Sequence, residues 1–402
     1  QRLIISSNNE CERKRMSDSV EIGSYYPLPW SPPNNYPQII EVAGPNQTGF
    51  SALNVNTDSE AIAIWLVDAG SKSENTAQSY RREAERLLLW STTIKRKSLS
   101  QLFREDFLEF SKFLSKLPAS WKMTERYNRD SPEWRPFLGQ PSVSTQARTM
   151  TILKSMIRYL VEAGWLKYNP MPSAKQITTQ SGNPVLRSFT PEEVECIIES
   201  LNSMPANTAK EITMKARDNW LFYLYWTTAA RASEAALTMS DFVERPIDGV
   251  MSWVWNITGK GNKQAELPLS SRAILRLMEL RKCLKVSVLP MRNDPIPILP
   301  SLSDLTEKGT LTRIPAPLDR RSIDKRFKKI FERAAEIAAS KGMSTYQLER
   351  GSTHWIRHTS IREFYDKTGD LKLTQQFARH SNVNTTARYA MQDMKKLKDA
   401  IE

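Results

Sequence analysis

Only one stretch of this chain, Met251 to Leu269, carries strand patterning. Met251, Trp253, Trp255 and Ile257 alternate with other residues, Gly259-Lys260-Gly261-Asn262 makes a turn, and Lys263 to Leu269 returns. Elsewhere the recurring apolar residues repeat at helical spacing. The clearest case is Ile152, Leu153, Met156, Ile157 and Leu160, which share one helix face while Lys154 and Arg158 lie opposite. Such a chain must bury its helices against one another, with a small β-hairpin or sheet as an insert. The expected fold class is mainly α with a small sheet (α+β).

Proline and glycine punctuate this pattern. Pro27, Pro29, Pro32, Pro33, Pro37 and Pro45 interrupt residues 1–57, which read as an extended leader, part of it docked on the folded body through Tyr25, Tyr26 and Trp30. A helical domain is expected over 58–175. Its helices run through Ala61, Ile64 and Trp65 to Gly70, from Thr76 to Trp90 with Arg81 and Arg82 among the polar residues, through Leu108–Leu117, and from Ser144 or Thr145 to Ala163. A linker is expected at 176–187 and a second domain at 188–402. That domain opens on Thr190-Pro191-Glu192-Glu193, a capping box with proline at the first helical position. Further helices are expected at Met214–Thr227, Ser271–Val286 and Ser322–Lys341, the last basic and amphipathic, with a proline-rich loop over 290–318.

Charge narrows the partner. The net charge is +13, and its distribution is informative: −1 over residues 1–57, +6 over 58–182 and +8 over 183–402. The excess is shared by two large segments, which suits two basic lobes gripping a duplex from two sides. Arg81, Arg82, Lys154 and Arg158 are candidates for phosphate contact; the competing reading is a solvated helix face. No run of about 18 apolar residues is present, so no membrane span is expected. Cys11, Cys196 and Cys283 have neither metal-ligand spacing nor a disulfide pattern, so no metal or cofactor is expected and a reducing cytoplasm fits.

The chain has three histidines, all within 27 positions: His354, His358 and His380. Histidine moves protons near neutral pH. Around them stand His354-Trp-Ile-Arg357-His358-Thr359, then Ala378-Arg379-His380-Ser381, then Asn384-Thr-Thr386-Ala-Arg-Tyr389. Upstream lie Thr228-Ala-Ala-Arg231-Ala-Ser233-Glu234 and Gly259-Lys260-Gly-Asn-Lys263. In order and local context these four segments resemble the tyrosine recombinase (phage integrase) family. The resemblance covers about 188–395 and extends more loosely to 60–175, which looks like that family's core-binding domain. It implies a two-lobed DNA clamp: a helical core-binding domain joined to a recombinase catalytic domain.

The resemblance also implies roles, and the chemistry asks for the same residue types. Cleaving a phosphodiester without metal requires neutralising the pentacoordinate phosphorane, which Arg231 and Arg357 can do with paired donors. Tyr389 is the nucleophile, storing the bond energy as a phosphotyrosyl ester. Its phenol, with an ordinary pKa of about 10, needs a base or a cationic field. His354 is the candidate base, His380 a donor to the phosphate and Lys260 the general acid for the leaving 5′-oxygen. Because bond energy is kept, neither ATP nor metal is required. The partners implied are a double-stranded recombination site, a homodimer on each site and a homotetrameric synapse, in the nucleoid-containing cytoplasm.

His358 is left between chemistry and support, with support preferred. Three positions depart from the family pattern. Ala229-Ala230 replaces Gly-Leu, a change read as one of size, and Ile356 replaces Leu. Arg379 replaces Gly, either straining the backbone or adding a DNA contact. Competing functions are a type IB topoisomerase-like or hairpin-forming relative, and a DNA-binding regulator with lost chemistry, although no arginine or tyrosine of the set is lost.

Overall fold

The computed structural model describes residues 36–71, 73–172, 187–232, 234, 238–259 and 263–390. The chain divides into two compact units between Gly182 and Asn183. The expected linker lies outside the described residues except for Arg187, as do Lys260, the leader before Tyr36 and the tail after Ala390.

Among the described residues the first unit is built on four α-helices: α1 (Asp58–Gly70), α2 (Glu74–Trp90), α3 (Arg104–Ser115) and α4 (Val143–Glu162). Thr57 caps α1 in a capping box with Glu60, and Ser142 caps α4. All five apolar residues predicted for the α4 face are buried, and they pack with Trp65, Trp90, Phe107 and Phe110 in one core. Two-residue strands β1 (Lys122–Met123) and β2 (Phe137–Leu138) pair in parallel within the loop between α3 and α4.

Residues 36–57 form no helix, as expected of the leader, and they belong to this unit. Gly44 N donates to Ser100 Oγ at 3.0 Å, Tyr168 N donates to the Asn46 side chain at 3.0 Å, and Tyr36 meets Trp121 and Trp134 edge-on. The approach at Gly44 is close enough to demand glycine: an added Cβ would sit 2.2 Å from the Ser100 carbonyl oxygen. The polar groups of this extended segment therefore find partners on the connections that follow α2 and α4.

The second unit contains α5 (Pro191–Asn202), α6 (Ala209–Thr228), α7 (Ser271–Cys283), α8 (Arg320–Ser340), α9 (Tyr346–Arg350), α10 (Thr353–Thr368), α11 (Leu371–Ala378) and α12 (Val383–Ala390). The capping box predicted at Thr190 and Glu193 is present. Between α6 and α7 lies an antiparallel sheet of order β3-β4-β5: β3 (Phe242–Ile247), β4 (Val250–Gly259) and β5 (Lys263–Pro268). The last two strands are the predicted pair. Trp255 stands opposite Phe242 and Leu267 on neighbouring strands, and all three join the core. Met251, at the outer end of the alternation, is exposed instead.

Strand β3 was not foreseen. Pro246 argues against a strand, but β3 is an edge strand, where proline is tolerated. The overlooked signal was Asp248-Gly249, both at positive φ (49° and 81°), the preference of a two-residue hairpin turn. Among the described residues no helix is long and apolar enough to cross a membrane.

Candidate active site

Three chain segments meet here, and helix ends decide how. Helix α6 stops at Thr228 because Ala229 turns left-handed (φ 49°), and Arg231 follows two residues on. Helix α11 stops at Ala378 because Arg379 also turns left-handed (φ 53°), and His380 follows it. Helix α10 carries His354, Arg357, His358 and Ile361 at spacings of three and four, so they share one face.

Arg357 joins the three segments. Its side chain is buried and its two terminal nitrogens donate to the carbonyls of Ala229 and Ala378. These carbonyls lie at the C-terminal ends of α6 and α11, where helices present unpaired acceptors and partial negative charge. A single guanidinium thus caps two helices and sets where Arg231 and His380 emerge. Arg231 Nη1 pairs with Glu234 Oε1 at 2.7 Å, and its backbone N–H donates to Glu234 Oε2 at 2.6 Å. Glu234 is buried; burial alone would raise its carboxyl, but Arg379 and Arg231 more than offset this and hold it below the usual range.

Arg379 meets one expectation and corrects another. The left-handed backbone foreseen there is real, but the side chain is no free DNA contact. It turns inward, pairing with Glu234 Oε2 at 3.0 Å and donating to the Thr228 and Ala229 carbonyls at 3.2 and 3.1 Å. Ala229, read as a change in size, is instead a backbone matter: it too occupies the left-handed region where glycine is favoured. Two substitutions with opposite outcomes follow. Ala229→Gly removes strain at the cost of one buried methyl packed with Ile361 and Ala378, and should stabilise the chain by at most about 1 kcal/mol. Arg379→Gly removes similar strain but leaves carbonyls and part of Glu234 unpaired, so the melting temperature should fall. Thermal unfolding of the two variants reads both signs.

An open cavity of ≈570 Å³ is lined by Arg231, His354 and Arg357, with Arg320, Asp324 and Lys328 from α8. His380 and Tyr389 do not line it. His380 Nδ1 is 2.9 Å from Thr386 Oγ1. The Tyr389 ring packs against Ala229, Ile361 and Ala378, and its hydroxyl is hydrogen-bonded to His358 Nδ1. The sequence had paired that hydroxyl with His354; the structure puts His358 there, with the His354 ring edge-on to it at 4.3 Å.

The electrostatics are those of a site short of negative charge. Burial, then Arg231 and Arg379, pushes Arg357 down to about 9. Burial and the same cationic surroundings lower all three histidines, His380 to about 4 and His358 to about 3. Burial raises Tyr389 to about 12, opposed by Arg357 and Arg388. Around Arg357 the site gathers the Arg231 and Arg379 guanidiniums, three imidazoles and the Glu234 carboxylate, with Arg320, Lys328, Asp324 and Glu349 at the cavity wall, and Arg357 stays depressed by its cationic neighbours. A bound anion would relieve it.

The model of the phage integrase family matches residues 187–396, just over half of the chain. The chain belongs to the phage integrase family. Among relatives of this integrase, tyrosine recombinase XerC of Halalkalibacterium halodurans is 26% identical over 257 residues, covering 64% of this chain and 74% of its own. Tyrosine recombinase XerC of Roseiflexus sp. is 22% identical over 336 residues, covering 83% and 89%. The integrase fold is shared with XerH recombinase bound to palindromic difH substrate, at TM-score 0.56 and 19% identity over 87% of this chain and 90% of that one. It is also shared with the Tn1549 transposon integrase in complex with circular intermediate DNA, at 0.51 and 14% over 85% and 98%.

Of the other integrase residues singled out in the sequence, Lys260 falls between the ends of β4 and β5, outside the described residues. In the first unit Arg82, Lys154 and Arg158 are exposed and Arg81 is half-buried. Arg158 lies 3.7 Å from Glu162 across one helical turn. Glu234 and Thr386 carried no assigned role in the sequence. Glu234 was detectable as a carboxylate three residues after Arg231, a spacing that suits a local ion pair.

Proposed function

We propose that this chain is a site-specific DNA recombinase that cuts and rejoins strands through a 3′-phosphotyrosyl intermediate. The observation that carries the reading is the Arg231–His354–Arg357 cavity, where Arg231 shares the Glu234 carboxylate with Arg379 and Arg357 donates to two carbonyls, beside a tyrosine hydroxyl already hydrogen-bonded to an imidazole.

The reading assigns each residue a step. Arg231 and Arg357 hold the non-bridging oxygens of the scissile phosphate, with Glu234 orienting Arg231. If Nδ1 of His380 accepts from Thr386, the ring proton sits on Nε2 and can donate to the phosphate. Tyr389 attacks, Lys260 protonates the leaving 5′-oxygen, and His354 at the cavity wall contacts the phosphate or its nucleophile. The ester conserves the bond energy, so the chemistry calls for neither metal nor ATP. In this reading residues 58–175 form the core-binding domain, with Arg81, Arg82, Lys154 and Arg158 toward the DNA backbone, and 188–402 the catalytic domain. The substrate is a double-stranded recombination site, held by a homodimer and joined in a homotetramer, in the nucleoid of the cytoplasm.

Covalent capture tests this. The wild-type chain incubated with a random-sequence duplex library containing nicked suicide positions should form adducts, and sequencing the captured DNA should return a preferred site. Tyr389→Phe should bind the captured duplex as well as wild type and form no adduct. Adducts that persist in Tyr389→Phe would falsify the nucleophile assignment. Relaxation of a plasmid lacking the captured site would point to a type IB topoisomerase instead.

A further inference from the structure

We infer that His358 is the immediate proton acceptor of the nucleophile, so that the Tyr389 hydroxyl proton passes to His358 Nδ1 during strand cleavage. This rests on the recombinase reading and names the residue that touches the reacting atom.

Geometry carries the assignment. His358 Nδ1 is hydrogen-bonded to the Tyr389 hydroxyl. The two rings lie tilted with centroids 5.8 Å apart. They are supplied by different helices, α10 and α12, and no short-range connection forces the contact. The Tyr389 ring is seated on Ala229, Ile361 and Ala378, which aims its oxygen toward the α10 face. Ile361 is three residues beyond His358 on that same face, so one helix supports both the ring and its acceptor.

Protonation agrees. Charged or titratable groups face His358 from every side: His354 and Arg357 on α10, His380 from the turn after α11, Tyr389 on α12 and Arg187 before α5. Burial, the neighbouring imidazoles and the Arg357 and Arg187 charges all disfavour protonation of the imidazole, and its neutral form has a free lone pair. A neutral imidazole this weak does not strip a phenol in the empty site. Two changes on substrate binding alter that. The phosphodiester brings negative charge beside Arg231 and Arg357 and cancels part of the field that depresses the ring. The phenolic oxygen also becomes an ester oxygen as it bonds to phosphorus, so its proton grows acidic late in the step. What is needed is an acceptor already in place.

The step balances. The Tyr389 oxygen bonds to phosphorus and its proton moves to His358 Nδ1. The P–O5′ bond breaks with its electron pair on O5′, which takes a proton from Lys260. Religation returns both protons along the same path. His354 is then left to the phosphate, which matches its place on the cavity wall.

The test uses the duplex captured by the wild-type chain, with either an ordinary scissile phosphate or a 5′-bridging sulfur there. The sulfur leaves without a proton and so isolates the nucleophile side. In single-turnover adduct formation on the sulfur duplex, wild type should be flat between pH 6 and 8. His358→Ala should be slower by about 10²–10⁴-fold on both duplexes, with a rate that climbs toward pH 9. His358→Asn keeps an acceptor oxygen near the Nδ1 position but cannot take the proton, and should be as slow as His358→Ala. Gel shift and thermal melting confirm that each variant binds and folds. The inference is overturned if His358→Asn cleaves within threefold of wild type, which makes the contact one of positioning. It is also overturned if the sulfur duplex restores His358→Ala, or if its pH profile stays flat. Should neither variant fold, ¹⁵N-histidine spectra of wild type decide, since only three histidines need assignment. Nδ1 of His358 must be unprotonated at pH 7, and a protonated Nδ1 sinks the idea. Adducts in Tyr389→Phe, or none in wild type, would instead overturn the recombinase reading itself.

Discussion

Arg357→Ala should lose strand cleavage by at least about 10²–10³-fold, the effect of removing one preorganised donor from a developing anion, and should also lose stability. The double penalty follows from the two tasks of this guanidinium. It lines the cavity with Arg231 and His354, and it caps the Ala229 and Ala378 carbonyls at the ends of α6 and α11. The Ala229 carbonyl keeps Arg379 as a donor, but the Ala378 carbonyl loses the Arg357 guanidinium, a loss of about 1–3 kcal/mol, and the turns that carry Arg231 and His380 lose their common anchor. Arg357→Lys separates the tasks. A lysine keeps the charge, but one ammonium cannot copy the fork that reaches two helix ends and a phosphate. Its DNA affinity should stay near wild type while single-turnover cleavage falls by a similar factor. Gel shift, melting temperature and adduct formation on one captured duplex measure all three. Cleavage within about threefold of wild type by Arg357→Lys would show that charge alone suffices there.

Asp294→Ala should lower stability by about 3–5 kcal/mol, the usual cost of breaking a buried ion pair from one side. Asp294 and Arg281 pair at 2.6 Å with both side chains almost inaccessible (2% and 1%). Asp294 also accepts from the backbone of Ile296 at 3.0 Å and of Met291 at 3.3 Å, and Arg281 Nε donates to the Ser287 carbonyl at 2.5 Å. The pair pins the 286–298 loop to α7, and the same loop accepts from Trp220 on α6 through the Ile298 carbonyl at 2.7 Å. For a unit of this size the melting temperature should drop by about 6–20 °C. A drop under about 2 °C would mean that the loop relaxes and solvates Arg281. The exposed Lys328–Glu332 pair at 3.8 Å is the contrast: it is screened by water, and breaking it should change little.

Much of this was legible in the chain because it depends on local periodicity. The α4 face, the Thr190 capping box and the β4–β5 pair all follow from residues within a few positions of one another. The contradictory local signals fell where a long-range partner overrode them. Strand β3 contains a proline and exists because β4 lies beside it. Ala229 and Arg379 are poor residues for a left-handed turn, yet Arg357 and Glu234 hold both turns from elsewhere in the chain.

The site divides in the same way. The sequence by itself determined which chemistry was present: two arginines, a hairpin lysine, three clustered histidines and a tyrosine, in an order that marks the phage integrase family. Residue type and spacing suffice for that, because reactivity belongs to the side chain. Only the tertiary structure decided who touches whom. It gave the Tyr389 hydroxyl to His358, although His354 is four residues away on the same helix. It also turned Arg379 away from solvent and made Arg357 a double helix cap. Those outcomes depend on where helices α6, α10, α11 and α12 end and meet. Such meetings are set by packing between residues as many as 151 positions apart, and no local pattern records them.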